Sequence, residues 1–400
     1  MNPKVVIAGS IVLDIEPSLA PSDDFKFEQG KLIFLSDVQM HIGGVVGNTG
    51  LAMNKLGIPT YNIGLVGDDR PADIIKKILE EEHAVSDLKT IKTGKTSTSI
   101  VLAIPGQDRI LMNCRGVSRD FGPEHVNPSQ FPEGARLFHF AYPPNMVKLY
   151  SNNGQGMVEI LQKVKAKHLV TSLDMCFPGK DSPAYNLDWK TILARWLPLV
   201  DFFLPSIEEM LIFLDKSSYE AQNEACKGKD FIEKLDLLEV QKIGQELVDM
   251  GCPVVCLKLG KKGLYLRTGD CSRLQDYIGD VSSWNDREIL FPPCAVPKIV
   301  STKGAGDTAI AGFLAATMDG MNPIEALSIA SLTASCCIQT VDAISGIPLL
   351  RELKETMKKG FTQESVSVLP NWLSKGRYFL GPADTKSQLY LTALSSTKKD

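Results

Sequence analysis

Hydrophobic and polar positions alternate along the chain with two different periods. Short apolar runs that are typical of buried strands recur between stretches whose apolar residues return every three or four positions, as in helices. The predicted strands are residues 5–9, 61–66, 136–141, 168–175, 200–204, 253–259, 263–267 and 295–300. The predicted helices are residues 49–56, 156–167, 189–196, 206–214 and 239–250, with another beginning at Asn322-Pro323. Strands that alternate with helices of this length predict an α/β fold with a doubly wound, mostly parallel sheet.

Two regions depart from this alternation. Residues 15–40 and 94–120 contain strand-like pieces at 31–35, 97–104 and 109–113 but few helix signals. They predict a small, separate antiparallel sheet. The polar stretch 216–229 predicts a surface insertion. Residues 351–400 keep a few apolar positions and then become polar, which leaves open whether they pack as an extra element or stay loose.

The segment 300–316, VSTKGAGDTAIAGFLAA, carries the most specific chemistry of the chain. Gly304 and Gly306 stand at a turn between a predicted strand and a helix, where backbone N–H groups and the helix dipole favour an anion. Asp307 follows in the first turn of that helix. A carboxylate beside a bound phosphate can accept the proton of a hydroxyl that attacks this phosphate. The alternative is a glycine-rich turn in which the aspartate only caps the helix.

A second glycine cluster lies far upstream, at Gly43, Gly44 and Asn48. Adjacent glycines allow another molecule to approach the main chain closely. The Asn48 amide has both a donor and an acceptor, which suits a vicinal diol. Asp14 follows the first predicted strand, and ligands of open parallel sheets bind beyond the carboxyl ends of the strands. Together these residues predict a site for sugar hydroxyls, although Asp14 alone is also typical of a turn.

Composition narrows the functional class. The net charge of -4 and the pI near 5.9 argue against a nucleic-acid-binding surface. Five histidines without a zinc motif, and nine scattered cysteines, indicate neither a zinc site nor a disulfide framework. No apolar run reaches the length of a membrane span, and the first one is too short for a secretion signal. We therefore expect a soluble, cytoplasmic enzyme without membrane or nucleic-acid partners.

The two glycine segments, taken together, resemble the signatures of the ribokinase/PfkB family of carbohydrate kinases. VSTKGAGDTAIAGFLAA is similar to the family's C-terminal signature, and GGVVGNTGLAMNKLGIPTYNIGLVGDD to its N-terminal one. The resemblance runs from about residue 4 to about residue 350. It implies a ribokinase-like kinase domain over residues 1–350, with a β-sheet lid formed by residues 15–40 and 94–120, and a C-terminal extension over 351–400. It also allows a homodimer through the lid.

The resemblance further implies that the protein uses ATP and Mg²⁺ to phosphorylate a hydroxyl group. Asp307 would be the general base, and the backbone of Gly304, Ala305 and Gly306 would form an anion hole. The residues assigned to the acceptor are Asp14, Gly43, Gly44, Asn48 and Asp174; those assigned to the nucleotide are Ser206, Lys258, Gly260, Gly263 and Ser331; Glu209 is assigned to the metal.

Several positions differ from the family pattern. Ser206 replaces the usual asparagine of the nucleotide site, and Ser301 replaces an aspartate that helps to hold a monovalent cation, so a potassium requirement is doubtful. Lys303 offers a substitute positive charge. Pro178 stands where an arginine would bind an acidic sugar, which argues against an acceptor such as 2-keto-3-deoxygluconate. Arg109 and Arg115 of the lid remain either ligands of an anionic acceptor or solvated side chains.

Three functions stay open at this point. The first is a kinase of a sugar or polyol. The second is a nucleoside kinase, which requires aromatic side chains around the acceptor base; the candidates are Phe34, Phe138, Tyr142 and Phe177. The third is a catalytically weak sugar sensor that has kept the fold.

Overall fold

The apolar runs of the sequence form a large mixed sheet. The computed structural model describes residues 3–19, 29–30, 32–102, 110–226 and 231–386. In chain order the strands are β1 (Val5–Gly9), β2 (Val12–Leu19), β3 (Leu35–Gly43), β4 (Thr60–Gly67), β5 (Val85–Ile91), β6 (Thr98–Leu102), β7 (Ile110–Cys114), β8 (Leu137–Ala141), β9 (Val170–Asp174), β10 (Phe202–Phe203), β11 (Val254–Lys258), β12 (Leu264–Thr268), β13 (Glu288–Phe291), β14 (Leu373–Ser374) and β15 (Phe379–Leu380). Within the described ranges the main sheet has eleven strands, in the order β14-β15-β13-β12-β11-β10-β9-β8-β1-β4-β5.

The part of the main sheet from β5 to β11 is parallel, and the strands from β12 to β14 pair antiparallel. The helices are α1 (Leu51–Lys55), α2 (Arg70–Glu81), α3 (Val147–Lys165), α4 (Trp189–Trp196), α5 (Ile207–Leu214), α6 (Lys216–Ala225), α7 (Phe231–Lys234), α8 (Leu237–Asp249), α9 (Gln275–Ile278), α10 (Ala305–Met318), α11 (Pro323–Cys337) and α12 (Leu350–Lys359). In the part of the chain that the structure describes, none of the helices is long and apolar enough to span a membrane. The prediction of a doubly wound α/β fold is confirmed.

Helices cover both faces of the sheet, which explains why its strands are apolar throughout. In β8, Leu137 and Ala141 point into the core beneath α10 and α11, whereas Phe138 and Phe140 pack into the core beneath α3 and α4. All four are buried. Each fully buried leucine or phenylalanine contributes about 1.5–3 kcal/mol of hydrophobic stabilisation. The two cores therefore hold the central strands rigidly, and the carboxyl ends of these strands can carry a precise site.

A second sheet, the lid, has the strand order β3-β2-β6-β7. The sequence prediction of an entirely antiparallel lid is wrong, because β2 and β6 pair in parallel. The predicted strand at 31–35 is also displaced, since β3 begins at Leu35 (residue 31 lies outside the described residues). The alternation of polar and apolar residues from 37 to 42 is the period-two signal that marks the true strand.

The predicted strand at 295–300, directly before the glycine turn, is absent. Cys294 forms an isolated bridge with Gln363, and the Ala295 N–H donates to the carbonyl of Thr362. The N–H groups of Val300 and Ser301 donate to the carbonyl of Ile338, so these bonds go to two different partners and form no continuous ladder. Pro292, Pro293 and Pro297 explain this, because proline has no N–H group to donate to a sheet. The stretch 216–229 contains α6 without a buried residue, as a surface insertion would, although residues 227–230 lie outside the described chain.

The described part of the C-terminal extension is integrated into the fold. β15 pairs with β13 and β14 pairs with β15, so the extension adds two short strands to the main sheet. Beyond β15, Asp384 accepts hydrogen bonds from the Arg287 side chain (2.8 Å) and from the Glu288 N–H (2.9 Å). The side chains of Arg287 and Asp384 are 3% and 0% exposed. Residues 351–386 thus pack against the rest of the fold, with β14 and β15 as strands of the main sheet.

We expect Asp384→Ala to lower the free energy of unfolding by about 3–5 kcal/mol, because it leaves the Arg287 guanidinium buried without a counter-charge. Guanidinium-induced unfolding measures the change. Asp319→Ala is the matched control, since Asp319 pairs with Lys354 on the surface, with 42% and 37% of these side chains exposed, and exposed pairs contribute at most about 1 kcal/mol. Equal effects of the two substitutions would show that the extension is not part of the stable fold.

Candidate active site

The glycine turn before α10 builds the centre of the site. Gly304 adopts a left-handed conformation (φ 73°), and a Cβ atom at this position would lie 2.5 Å from the Cβ atom of Ala343, so only glycine fits. The N–H groups of Gly304 and Gly306 have no hydrogen-bond partner among the described residues, whereas the Ala305 N–H donates to the Thr302 carbonyl at 3.3 Å. Two of the three groups assigned to the anion hole are therefore free to bind an anion.

Asp307 is buried in the first turn of α10 and is held from two sides. The Asn48 amide donates to its Oδ2 atom at 3.0 Å, and the Tyr142 hydroxyl donates to its Oδ1 atom. Asn48 belongs to the upstream glycine cluster, so the structure brings the two glycine segments together. Tyr142 directly follows β8 and has a left-handed backbone (φ 66°) that is rare for residues other than glycine.

The charge state of Asp307 follows from its surroundings. Burial raises the pKa of Asp307 above its ordinary value, and the Lys258 ammonium and the hydrogen bonds from Tyr142 and Asn48 partly offset this rise. A raised pKa makes a carboxylate a stronger base once it is ionised, which favours proton abstraction from an alcohol.

Lys258 places a buried positive charge beside the start of α10. It lies at the end of β11, and its Nζ atom is 2.7 Å from Oδ1 of Asp174, at the end of β9. A Cβ atom on Gly306 would be 3.7 Å from this ammonium. Burial lowers the pKa of Lys258, but the carboxylates of Asp174, Glu209 and Asp307 outweigh that effect and keep the pKa above its ordinary value. The ammonium thus stays charged next to the free N–H groups of the turn.

Ser206 and Glu209 form a capping box at the start of α5. The Ser206 N–H donates to Oε2 of Glu209 at 2.8 Å, and the Glu209 N–H donates to Oγ of Ser206 at 3.3 Å. A bridge between Ser206 and Lys258 places this helix terminus next to the buried ammonium. Burial raises the pKa of Glu209, and Lys258 opposes this rise. The capping box thus fixes the Glu209 carboxylate near Lys258.

Asp14 is already engaged by a residue from the loop before the glycine turn. Its Oδ2 atom lies 2.9 Å from Nζ of Lys303, which also contacts Glu16. The Asp14 carboxylate presses against Gly43, where a Cβ atom would be only 2.3 Å away. Burial raises the pKa of Asp14, and Lys303 opposes this rise. The cluster therefore joins strand β2 of the lid to the loop that leads into α10.

A cavity of about 470 Å³ is lined by three of the five residues assigned to the acceptor. Its wall includes Asp14, Gly44, Asn48, Gly304 and Asp307, together with residues that the sequence did not assign to the site, among them Ser99, Asn113, Arg119, Tyr142, Asn145 and Lys303. This volume is in the range of small-molecule sites. The cavity therefore has room for a small polar acceptor beside Asp307.

None of the five residues assigned to the nucleotide lines this cavity: Ser206 and Lys258 lie at the start of α5 and the end of β11, and the other three lie elsewhere. Gly260 and Gly263 form the turn between β11 and β12, which pair as an antiparallel hairpin. The Ser331 hydroxyl is occupied by Cys294, whose N–H donates to it at 3.0 Å. None of the three is in the wall of the cavity. Their assignment to the nucleotide stays a prediction that rests on the family resemblance.

Tyr142 and Glu16 are the polar groups that sequence reasoning missed in these roles. The sequence suggests Tyr142 only as an aromatic neighbour of a nucleobase, yet its hydroxyl binds the proposed base. Lys303 and Glu16 are 287 positions apart in the chain, so no local sequence pattern predicts their contact. The alternation of Asp14 and Glu16 on one face of a strand is the single signal that could have suggested it.

The fold and this site define a kinase of small molecules: a doubly wound sheet, a β lid, and a glycine turn followed by an aspartate. The sequence pattern of the pfkB family of carbohydrate kinases matches residues 2–350. The chain belongs to this family, and it is a phosphotransferase with an alcohol group as acceptor.

Known relatives are distant but cover most of the chain. A sugar kinase of Archaeoglobus fulgidus is 23% identical over 299 residues, which are 74% of this chain and 98% of that protein. A nucleoside kinase of Methanocaldococcus jannaschii is 21% identical over 335 residues, covering 83% and 90% of the two chains. Among solved structures, Arabidopsis thaliana ribokinase complexed with ribose and ATP has a TM-score of 0.65 at 20% identity, with 89% of this chain and 98% of that chain covered. The fold is thus that of ribokinase.

Proposed function

We propose that this protein transfers the γ-phosphate of ATP to a hydroxyl of a sugar or polyol, with Asp307 as the general base. The observation that carries the proposal is the position of the Asp307 carboxylate. It lies at the N-terminus of α10, next to the free N–H groups of Gly304 and Gly306, and it also faces the polar cavity. A hydroxyl in the cavity and a phosphate at the turn would therefore meet at this carboxylate.

The protein groups divide the chemical work. Asp307 accepts the proton of the attacking hydroxyl, while Asn48 and Tyr142 keep the carboxylate oriented. The N–H groups of the glycine turn and the ammonium of Lys258 stabilise the negative charge on the phosphoryl oxygens. Because the transition state is loose, positioning and charge neutralisation account for most of the catalysis.

ATP, when bound, supplies the phosphoryl group, and Mg²⁺ neutralises charge on its phosphate oxygens. Glu209 is the residue we assign to the metal. In the described ranges, no three His, Cys, Asp or Glu side chains are grouped to hold a metal ion. A single carboxylate such as that of Glu209 fits Mg²⁺, which proteins usually bind through one or two carboxylates, water and the phosphates of a substrate.

The proposal is tested by magnesium-dependent release of ADP from the purified full-length protein, over a panel of free sugars, polyols and nucleosides. We expect turnover with one class of sugar or polyol. Turnover with nucleosides alone would move the protein to the nucleoside kinases. No turnover with any acceptor, together with detectable sugar binding by calorimetry, would favour the sugar sensor.

The aromatic residues favour a sugar over a nucleoside. Phe138 is buried in the core beneath α3, and Phe34 does not line the cavity. Phe177 does line it, but the hydroxyl of Tyr142 is bound to Asp307. Two of the four candidate rings, Phe177 and Tyr142, therefore line the cavity, and the hydroxyl bond to Asp307 fixes the Tyr142 ring at the proposed base instead of leaving it to stack on a nucleobase.

We also propose that a second copy of the chain covers the outer face of the lid. Ile15, Met40, Ile100 and Met112 are direct neighbours across the four strands, on the face opposite Asp14 and Ser99. The side chains of Met40, Ile100 and Met112 are 38–47% exposed. A continuous exposed apolar row of this kind marks a contact surface.

We expect the wild-type protein to be a dimer by size-exclusion chromatography with light scattering, and Ile100→Asp to shift it to a monomer by placing a charge in the row. Leu238→Asp serves as the control, because Leu238 is 49% exposed on α8, outside the lid. A monomeric wild-type protein would refute this arrangement.

A further inference from the structure

The cations around the cavity differ in what they contact. Lys303 is held by the carboxylates of Asp14 and Glu16. Arg119 lies 3.8 Å from the carboxylate of its neighbour Asp120. The guanidinium of Arg115 makes neither an ion pair nor a side-chain hydrogen bond with any residue in the described ranges, although Arg115 is part of the cavity wall. Arg115 is exposed, and no described residue binds the N–H donors of its guanidinium, so these donors are available to a ligand in the cavity.

Arg115 also supplies a positive charge near the position of Pro178, where the sequence has no arginine. Pro178 stands where an arginine would have been expected to bind an acidic sugar, and this argued for a neutral acceptor. The structure brings a guanidinium to the same segment from the lid. Nη2 of Arg115 lies 3.4 Å from the position of a Cβ atom on Gly179. Burial raises the pKa of the Cys176 thiol, and the charge of Arg115 opposes this rise, as its closeness to the segment requires.

The surroundings of Arg115 suit an anionic group. Gly179 lies beside Arg115. Phe177 lines the same cavity, and the amides of Asn113 and Asn145 add neutral hydrogen-bonding groups to the wall. The carboxylates of the wall, Asp14 and Asp307, are occupied by Lys303 and by Tyr142 and Asn48. A guanidinium without a counter-charge binds carboxylates and phosphates well because its donors match their paired oxygens.

We infer that the acceptor carries an anionic group, a carboxylate or a phosphate, which Arg115 binds while a hydroxyl of the same molecule meets Asp307. The inference rests on the proposed function for the identity of the reaction. It adds the chemical class of the acceptor, and it reverses the expectation from Pro178. Arg115 is then the residue that determines acceptor specificity.

Matched acceptors test the inference with the full-length protein. Glucose is compared with gluconate for the carboxylate, and fructose with fructose 6-phosphate for the phosphate; other sugar acids and phosphates extend the panel. We expect kcat/KM for an anionic acceptor to exceed that of its neutral partner. Arg115→Gln should lower that kcat/KM by about 10- to 100-fold, mainly through the acceptor KM, and leave the KM of ATP unchanged. Arg115→Lys should restore part of the loss.

Arg351→Gln is the control, since Arg351 is a surface residue of α12 beside Glu352. Turnover of neutral acceptors only, or an Arg115→Gln enzyme that matches the control, would overturn the inference and leave the kinase function standing. If no acceptor is phosphorylated, the proposed function fails instead. Calorimetric binding then decides the inference: sugar acids or phosphates that bind the wild type but not Arg115→Gln support it, and equal binding to both refutes it.

Discussion

Asp307→Asn is expected to lower kcat by about 10²- to 10⁴-fold, the usual contribution of a general base. The amide cannot accept the proton of the attacking hydroxyl, but it has nearly the same shape and keeps the contact with Tyr142 or Asn48. The KM values of ATP and acceptor should therefore change little. The measurement is steady-state ADP release, with Asp319→Asn on the surface as the control. A variant that keeps a third or more of the wild-type kcat would rule out Asp307 as the base.

The role of Asp307 as the base also makes the kinase activity dependent on pH. Asp307 must be ionised to accept a proton, so activity falls as the pH falls through its pKa. Because burial raises that pKa, the acid limb of kcat/KM should lie above the range of an ordinary aspartate, which is about pH 4. A profile that stays flat down to that range would mean that the carboxylate is not the titrating base.

Lys258→Met is expected to lower kcat by about 10²- to 10³-fold, as the loss of one preorganised group at a developing oxyanion does. The methionine fills a similar space but carries no charge. The substitution also leaves the buried carboxylate of Asp174 without its partner, which costs about 3–5 kcal/mol of stability. Kinetics and denaturant unfolding must therefore be measured together.

The double variant Lys258→Met with Asp174→Asn separates the two effects of Lys258. Neutralising Asp174 removes the unpaired charge, so stability should recover, whereas kcat should stay low because the ammonium is still missing. Joint recovery of stability and kcat would assign Lys258 a purely structural role. A double-mutant cycle is suited to this question because the two side chains are in direct contact.

The parts of the molecule that the sequence could predict depend on local signals. The sequence predicts a helix that begins at Asn322-Pro323, and in the structure Asn322 caps α11 in a capping box with Glu325. The alternation of strands and helices predicted the parallel sheet, and glycine clusters marked the two turns that meet at Asp307. These signals are contained in a few consecutive residues, where sequence patterns are informative.

The parts that could not be predicted depend on contacts between distant positions. Tyr142 and Asp307 are 165 positions apart, and Arg287 and Asp384 are 97 apart. Which residues meet in such pairs depends on the path of the chain in three dimensions. A local pattern of apolar and polar residues contains no information on that path. The prediction of a strand at 295–300 is wrong for a different reason. The apolar residues of this segment are typical of a strand, but Pro297 has no N–H group to donate to a sheet.

The integration of residues 351–386 has a practical consequence for anyone who wishes to produce this enzyme. The family pattern ends at residue 350, and a truncation there would look reasonable by comparison with relatives. It would remove β14 and β15 and expose the hydrogen-bonding groups of β13 at the edge of the main sheet. Strands of other molecules can pair with such an exposed edge, which leads to precipitation. Recombinant versions should therefore extend at least to Lys386, and an affinity tag belongs beyond that residue.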